Sequence, residues 1–212
     1  KWAGKTNPIL INDERFAPAG VLAPTSKADL AFTMHMLSWL SSKGTAAIVE
    51  FPGVLYRGGA EQKIRQYMID NNFVDTVIQL PSDLFFGTSI ATCILVLKKN
   101  KSDNNILFVD ATDECVRNTN KNKLSDDNIN NIINLLKDRK SVESKSYLAT
   151  YDEIKDNDYN ISVNSYLKTN TDDNNIDIKE VNKMLAEVVP KQEQIRKELE
   201  EIIKELEVDY HE

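Results

Sequence analysis

The feature that most limits the folds open to this chain is a short link. Two strand-like runs, VDTVIQLP and SIATCILVLKK, are separated only by SDLFFGT, residues 82–88. A parallel return needs a crossover of about a dozen residues or more, which this link cannot supply. The second run must therefore turn back antiparallel, as a hairpin or a neighbour of the first. The same link sets two adjacent aromatic residues, Phe85 and Phe86, and a glycine directly in front of a strand.

Upstream of that pair the order is strand, helix, strand. TAAIVEFP is a short apolar run with a β-branched centre, and GGAEQKIRQYMIDNN is a helix with Ile64, Tyr67 and Met68 on one side. Connections this short predict a parallel pair joined by a crossover helix, hence an α/β layer fold. NILFVDAT adds one more strand after a polar turn. Ahead of these lies TSKADLAFTMHMLSWLSSKG, a helix with Thr25 and Ser26 as its cap before Asp29 and Lys43 and Gly44 as its stop. Its apolar residues Leu30, Phe32, Met34, Met36, Leu37, Trp39 and Leu40 occupy nearly every face, which predicts extensive burial. The opening segment, with prolines at positions 8, 18 and 24, reads as an irregular loop.

The second half changes character. LSDDNINNIINLLKDR predicts an amphipathic helix capped by Ser125, with Ile129, Ile132, Ile133, Leu135 and Leu136 as its buried side. YLATYDEIKDNDYNISVNSYL fits neither the helix nor the strand period. Its richness in Asn invites a low-complexity reading, but its regular apolar residues argue against disorder. The last segment is the most periodic: Ile178, Val181, Leu185, Val188, Gln192, Ile195, Leu199, Ile202 and Leu206 alternate spacings of three and four, the seam of a coiled coil with one polar position. Pro190 interrupts the seam and predicts a kink, or a break with Pro190 opening a second helix. The stripe suits either a partner helix or a terminal helix folded onto its own domain.

Charge bears on what the chain can hold. Of the formal net charge of -7, residues 1–100 carry +2 and residues 101–212 carry -9. A surface that grips DNA alone has a clear basic excess, because phosphate neutralisation supplies most of the affinity. If this chain acts on DNA, a partner does much of the holding. No run reaches the roughly 18 to 20 apolar residues that cross a bilayer, and KWAGKTNPIL lacks the features of a signal peptide, so a cytoplasmic protein with no membrane association is expected. Cys93 and Cys115 have no neighbouring ligands at metal spacing, so no metal site is expected.

Motifs for phosphate loops, dinucleotides, zinc hydrolysis and serine nucleophiles are absent from the sequence. His35 lies in an apolar helix, where a hydrogen-bonded core histidine is expected, and His211 reads as a solvated tail residue. The stretch FPGVLYRGGAEQKIRQ is more suggestive. Pro52 follows the C-terminal end of a strand, where open α/β sheets bind ligands. Gly58 and Gly59 lead into a helix N-terminus that favours an anion, with Arg57, Lys63 and Arg65 nearby. The glycines serve a tight turn equally well, and both readings stand.

SKADLAFTMHML, GTAAIVEFPGVLYRGGAEQKIRQYMIDNN, VIQLPSDLFFGTSIATCILVLKK and the opening KWAGKTNP occur in an order that resembles the modification subunit of type I restriction-modification systems, an adenine-specific DNA methyltransferase. The resemblance is close over residues 1–112 and looser beyond. It implies the C-terminal half of a Rossmann-like, S-adenosylmethionine-dependent methyltransferase sheet ending in an antiparallel hairpin, followed by a helical tail. It further implies three parts: a catalytic-domain portion over 1–112, a mixed helical and irregular extension over 113–177, and a helical assembly segment over 178–212.

In that family the glycine-rich cofactor motif and the Asn-Pro-Pro-aromatic catalytic motif both precede the region matched here. The single TNP at residues 6–8 does not replace the latter, so the catalytic motif is expected upstream of Lys1 and the chain alone is expected to be inactive. The resemblance implies an adenine flipped out of the duplex, with Phe85 the better match for the aromatic that stacks on it and Phe86 the second candidate, for which a core position competes. It also implies double-stranded DNA, a specificity subunit, a second modification subunit and a restriction subunit as partners. Ile195, Leu199, Ile202 and Leu206 on the terminal stripe are the candidates for assembly. Two other readings remain beside it: a non-catalytic assembly module that docks the specificity subunit, and a Rossmann-like enzyme of another substrate class.

Overall fold

The computed structural model describes residues 2–167 and 178–208, with side chains over 181–204 in the second range. The chain divides into two compact units, Lys1–Thr169 and Asn170–Glu212.

The first unit is built on a five-stranded sheet. Its strands, in chain order, are β1 (Thr45–Glu50), β2 (Val74–Gln79), β3 (Cys93–Lys98), β4 (Ile106–Asp110) and, after a separate hairpin of β5 (Val116–Asn118) and β6 (Lys121–Lys123), β7 (Ser146–Ala149). The spatial order is β1-β3-β2-β4-β7. β3 runs antiparallel to β2, as expected, although both strands stop short of the bounds read from sequence and the link between them spans residues 80–92; β3 is also antiparallel to β1 on its other side. β1 and β2 therefore point the same way but do not pair. The expected adjacent parallel pair is corrected, because β3 folds back into the space between them and hydrogen-bonds to both. β4 lies parallel to β2 on the far side, and β7 closes that edge antiparallel to β4.

Side-chain alternation along β3 sorts the two faces of the sheet. Cys93, Leu95 and Leu97 are buried on the face covered by α1 (Asp29–Trp39) and α2 (Ala60–Asp70). Ile94 and Val96 turn to the opposite face, where Ile132 of α3 (Asp126–Asp138) meets Ile78, Leu107 and Val109. This gives helices on both sides of a twisted sheet, and central strands apolar on both faces.

Several local expectations need adjustment. Thr25 and Ser26 do not cap α1; they occupy a turn closed by Lys27 N–H donating to the Pro24 carbonyl at 3.0 Å, and the helix begins at Asp29. It ends at Trp39, with Gly44 in the next turn. Nor is α1 buried all round: Leu30, Met34 and Leu37 enter the core, while Phe32 is 66% exposed and Trp39 76%. The sheet covers only one face of the helix. His35 lies between the rings of Phe16 and Trp39, and its buried Nδ1 has no hydrogen-bond partner among the described residues, unlike the satisfied core histidine expected. Ser125 caps α3 as expected, accepting from Asn128 N–H at 3.2 Å, with the Asn128 side chain reaching back. Only Ile132 of this helix is fully buried, and Ile129 and Ile133 lie exposed at the margin of the contact.

The Asn-rich stretch past residue 140 folds tightly. β7 pairs with β4, and α4 (Tyr151–Asp156) starts at a capping box of Thr150 and Glu153. Ile154, Ile161 and Val163 join the main core, and Tyr166 stacks on Phe108 at 4.0 Å with the rings 7° from parallel. No boundary falls at residue 112, because β4 obtains its second neighbour from residues 146–149.

The second unit contains α5 (Ile178–Val208), a continuous helix that runs through Pro190 without the expected break. Proline removes one intrahelical donor, and the remaining turns carry the helix past it. Val181, Leu185, Val188, Ile195, Leu199 and Ile202 form the exposed apolar stripe. The side chains of Ile178 and Leu206 and all of His211 lie outside the described residues. No described helix is long and apolar enough to cross a membrane.

Phe108 is fully buried at the centre of this arrangement. Phe108→Ala leaves a cavity beneath Tyr166 and should lower stability by about 3–5 kcal/mol, measured as a shift in the urea unfolding curve. An unchanged midpoint would contradict the assigned packing.

Candidate functional site

Sheet register brings the ends of four strands into one row: Glu50 opposite Cys93, Cys93 opposite Gln79, and Gln79 opposite Asp110. This is the C-terminal end of β1, β2 and β4, the end at which open α/β sheets receive ligands. The segments leaving it are the turn after β1, the β2–β3 loop and the β5–β6 hairpin.

After β1, Pro52 opens a short 3-10 turn, Pro52–Leu55, and Gly59, at φ +69°, admits the chain to the N-terminus of α2. The charged residues there are turned to internal use. Arg65 is fully buried, and its guanidinium donates to the carbonyls of Val54 at 3.0 Å, Arg57 at 2.6 Å and Tyr159 at 3.0 Å. It ties the turn after β1 to the loop after α4 and does not face solvent, so its expected anion contact is corrected. Burial lowers its pKa to about 10, which leaves it charged at neutral pH. Glu61, also buried, sits in the first turn of α2, and its Oε1 lies 3.5 Å from Arg57. The carboxylate favoured at this helix N-terminus is thus the chain's own. Of the expected cluster, Pro52, Arg57, Gly58 and Gly59 stay together near that turn, while Lys63 is exposed farther along α2.

The residue period held a signal for this. Glu61, Ile64, Arg65, Met68 and Ile69 are the buried residues of α2, spaced as one helical face, so the two charged members belong to the apolar stripe.

Glu50, which the sequence reading passed over, is buried at the end of β1 and accepts from Thr33 Oγ1 at 2.7 Å. Desolvation raises its pKa against the lowering effect of that hydrogen bond, and the charges of Asp29 and Glu61 raise it further. The opposed Cys93 thiol is pushed up to about 12, chiefly by burial, so it is not a nucleophile at neutral pH.

The β2–β3 loop is closed at its base by Leu80 N–H donating to the Thr92 carbonyl at 2.9 Å. Leu84 packs against the α3-side core, and the chain then turns outward. Phe85 is 40% exposed and Phe86 100%, so Phe86 is not the core residue that competed with a pocket role in the sequence. Gly87, at φ +80°, brings the chain back. Two adjacent phenylalanines are therefore presented at the ligand end of the sheet with little apolar cover of their own.

A sheet with an antiparallel strand inserted between co-directional ones, helices on both faces and its loops gathered at one end defines the class: a Rossmann-like methyltransferase fold. The N-6 DNA methylase family pattern matches residues 1–175, and the chain belongs to that family. It is 46% identical over 210 residues to the type I restriction enzyme MpnII methylase subunit of Mycoplasma pneumoniae, covering 99% of this chain and 39% of that protein. It is 34% identical over 187 residues to the MjaVIII methylase subunit of Methanocaldococcus jannaschii, covering 84% and 32%. The crystal structure of the type I restriction-modification methyltransferase subunit from Streptococcus thermophilus superposes with a TM-score of 0.75 at 40% identity, over 76% of this chain and 35% of that one. The chain thus spans about two fifths of the length of the first of these relatives.

The family uses S-adenosylmethionine, and the backbone at Gly53 does not form a cradle for it. A Cβ on Gly53, just past β1, would come 2.2 Å from the Arg57 guanidinium, so the gap this glycine leaves is filled by the chain itself.

Glu50 supplies a pH test. The folded state holds its proton more tightly than the unfolded chain, whose ordinary value is 4.5, so its ionisation makes stability fall as pH rises above that value. Glu50→Gln removes this dependence and should be at least as stable as the parent at neutral pH. Thermal melts from pH 4 to 8 check this, and a Gln variant whose deficit grows with pH would contradict it.

Proposed function

We propose that this chain is part of an adenine-specific DNA methyltransferase of a type I restriction-modification system, which methylates host DNA and so protects it from restriction. The observation that carries the reading is the pair Phe85 and Phe86, exposed at the ligand end of the sheet in a member of the N-6 DNA methylase family. The methyl donor is S-adenosylmethionine. The chain's own part is recognition of the base. A flipped adenine has lost its stacking partners, and an aromatic face restores roughly 1–3 kcal/mol of stacking. Such a ring also holds the exocyclic amine in one orientation, which matters because its lone pair is delocalised into the purine and reacts only when aligned. Phe85 is the primary stacking residue, and the more exposed Phe86 closes the pocket beside it.

Pro52, Arg57, Gly58 and Gly59 shape the neighbouring turn, with Lys63 the member of that group free to meet phosphate. The N-terminus of α2 serves the turn, since Glu61 in its first turn already supplies a negative charge there. Neither a glycine-rich cofactor turn nor an Asn-Pro-Pro-aromatic motif occurs in the chain, which alone is inactive on this reading.

The exposed stripe on α5 supports a second, compatible role. It docks the specificity subunit, which selects the DNA sequence and joins this subunit to a second modification subunit and a restriction subunit on double-stranded DNA in the cytoplasm. The acidic second half fits a protein whose partner supplies much of the grip on phosphate.

In the full-length subunit with its specificity partner, Phe85→Ala should lower kcat/KM for methyl transfer by about ten- to a hundredfold, the kinetic equivalent of the stacking energy. Transfer near the parent rate would refute the stacking role of Phe85. Leu199→Glu together with Ile202→Glu should abolish co-purification of the specificity subunit while leaving the melting of the sheet unit unchanged. Undiminished co-purification would remove α5 from the assembly.

A further inference from the structure

The β5–β6 hairpin has no place in either core. Val116–Asn118 are exposed throughout, Lys121–Lys123 are at most half-buried, and the two strands pair only with each other. An isolated two-stranded hairpin of this kind is marginal in water. Its polar groups instead reach the β2–β3 loop. Asn122 donates from its backbone N–H to the Asp83 carbonyl at 3.0 Å and from Nδ2 to the Ser82 carbonyl at 2.9 Å. Lys121 Nζ donates to the Thr88 carbonyl at 2.8 Å and lies 3.5 Å from the Asp83 carboxylate, which Arg117 also meets at 3.3 Å.

These contacts divide by position. Ser82 and Asp83 precede the phenylalanines and Thr88 follows them, so the hairpin grips both limbs of the loop and leaves residues 84–87 between its holds, with Leu84 packed on the α3-side core. Lys121 alone spans the two limbs, carboxylate on one side and carbonyl on the other. Exposed ion pairs are weak taken singly. The weight of the contact therefore falls on the three bonds to main-chain carbonyls, of which the one from the ammonium is charge-assisted. Within the loop itself, the Asp83 N–H to Ser89 carbonyl bond across the limbs is long at 3.4 Å, and the bond from Ile90 N–H to Thr88 Oγ1 at 3.1 Å stays within one limb.

We infer that the β5–β6 hairpin is a positioning device for the aromatic loop, with Lys121 and Asn122 as positioning residues that hold Phe85 and Phe86 at the height and angle the target base requires. The inference rests on the stacking role proposed above. It explains why a hairpin without a core is built from polar residues, and why it follows directly from β4, whose end lies in the same row as the base of the loop. The hairpin's cations could instead touch DNA phosphate, and the two roles leave different kinetic signatures.

The test uses the full-length methylase subunit with its specificity subunit and compares the parent with Lys121→Met, Asn122→Ala, the double variant Phe85→Ala/Phe86→Ala, and that double variant combined with Lys121→Met. Amide hydrogen exchange reads the hold directly. Lys121→Met should speed exchange over residues 84–90 by about tenfold, with β2, β3 and α2 unchanged, and Asn122→Ala should act in the same direction. Methyl transfer reads its consequence: Lys121→Met should lower kcat by about tenfold with KM for DNA near the parent value, and should cost nothing further once both phenylalanines are gone. Unchanged loop exchange, faster exchange with unchanged kcat, or losses that multiply would each overturn the inference. A loss confined to KM for DNA would overturn it in favour of phosphate contact. Failure of the stacking reading looks different, because the phenylalanine double variant itself would then transfer methyl groups near the parent rate.

Discussion

The structure depends on β3 pairing along both of its edges. A strand returning from the loop after β2 could have closed the sheet as an outer edge; here it enters between β1 and β2 and gives each an antiparallel partner. The insertion keeps β1, β2 and β4 pointing the same way, so their C-terminal ends and the loops that leave them share one end of the sheet. It also makes β3 a divider between two cores, with Leu95 and Leu97 facing α1 and α2 and Ile94 and Val96 facing α3. The aromatic loop owes its position to the same event, because it is the turn by which the chain enters that gap.

Around this frame the charged groups near the strand ends mostly hold the chain to itself. Arg65 donates to three carbonyls, buried at Val54 and part-buried at Arg57 and Tyr159, a role in which removing the guanidinium leaves acceptors without that donor. Glu61 puts a negative charge of the chain's own in the first turn of α2, and Glu50 is retained in a setting that disfavours its charge. The aromatic pair Phe85 and Phe86 stays presented at that end, on the loop that the hairpin cations contact. That division suits a site that recognises a flat base.

Much of this was legible before the fold was known, and the omissions have physical causes. The shortness of the polar link between the two apolar runs pointed to an antiparallel β2 and β3, and cap chemistry located Ser125. Nothing in a linear order says on which side of β2 the returning strand will lie, so the separation of β1 from β2 could not be read. SYLA is too short to display a period, so β7 was missed. Arg65 was legible in principle, since it shares the helical face of Ile64 and Met68, but its proximity in sequence to Gly58 and Gly59 drew it toward an anion site. The grip of Lys121 and Asn122 on the loop left no trace in sequence, because a polar KNK looks the same whether it meets solvent or a main-chain carbonyl about 40 residues away.

The central claim is that the β2–β3 loop meets the target base. The direct measurement is a photo-crosslink from 5-iodouracil placed at the target adenine position, in cognate DNA bound by the full-length subunit and its specificity partner. The account predicts that the crosslinked peptide contains Phe85 and Phe86. A crosslink that maps to another segment, with that peptide unmodified, would contradict it.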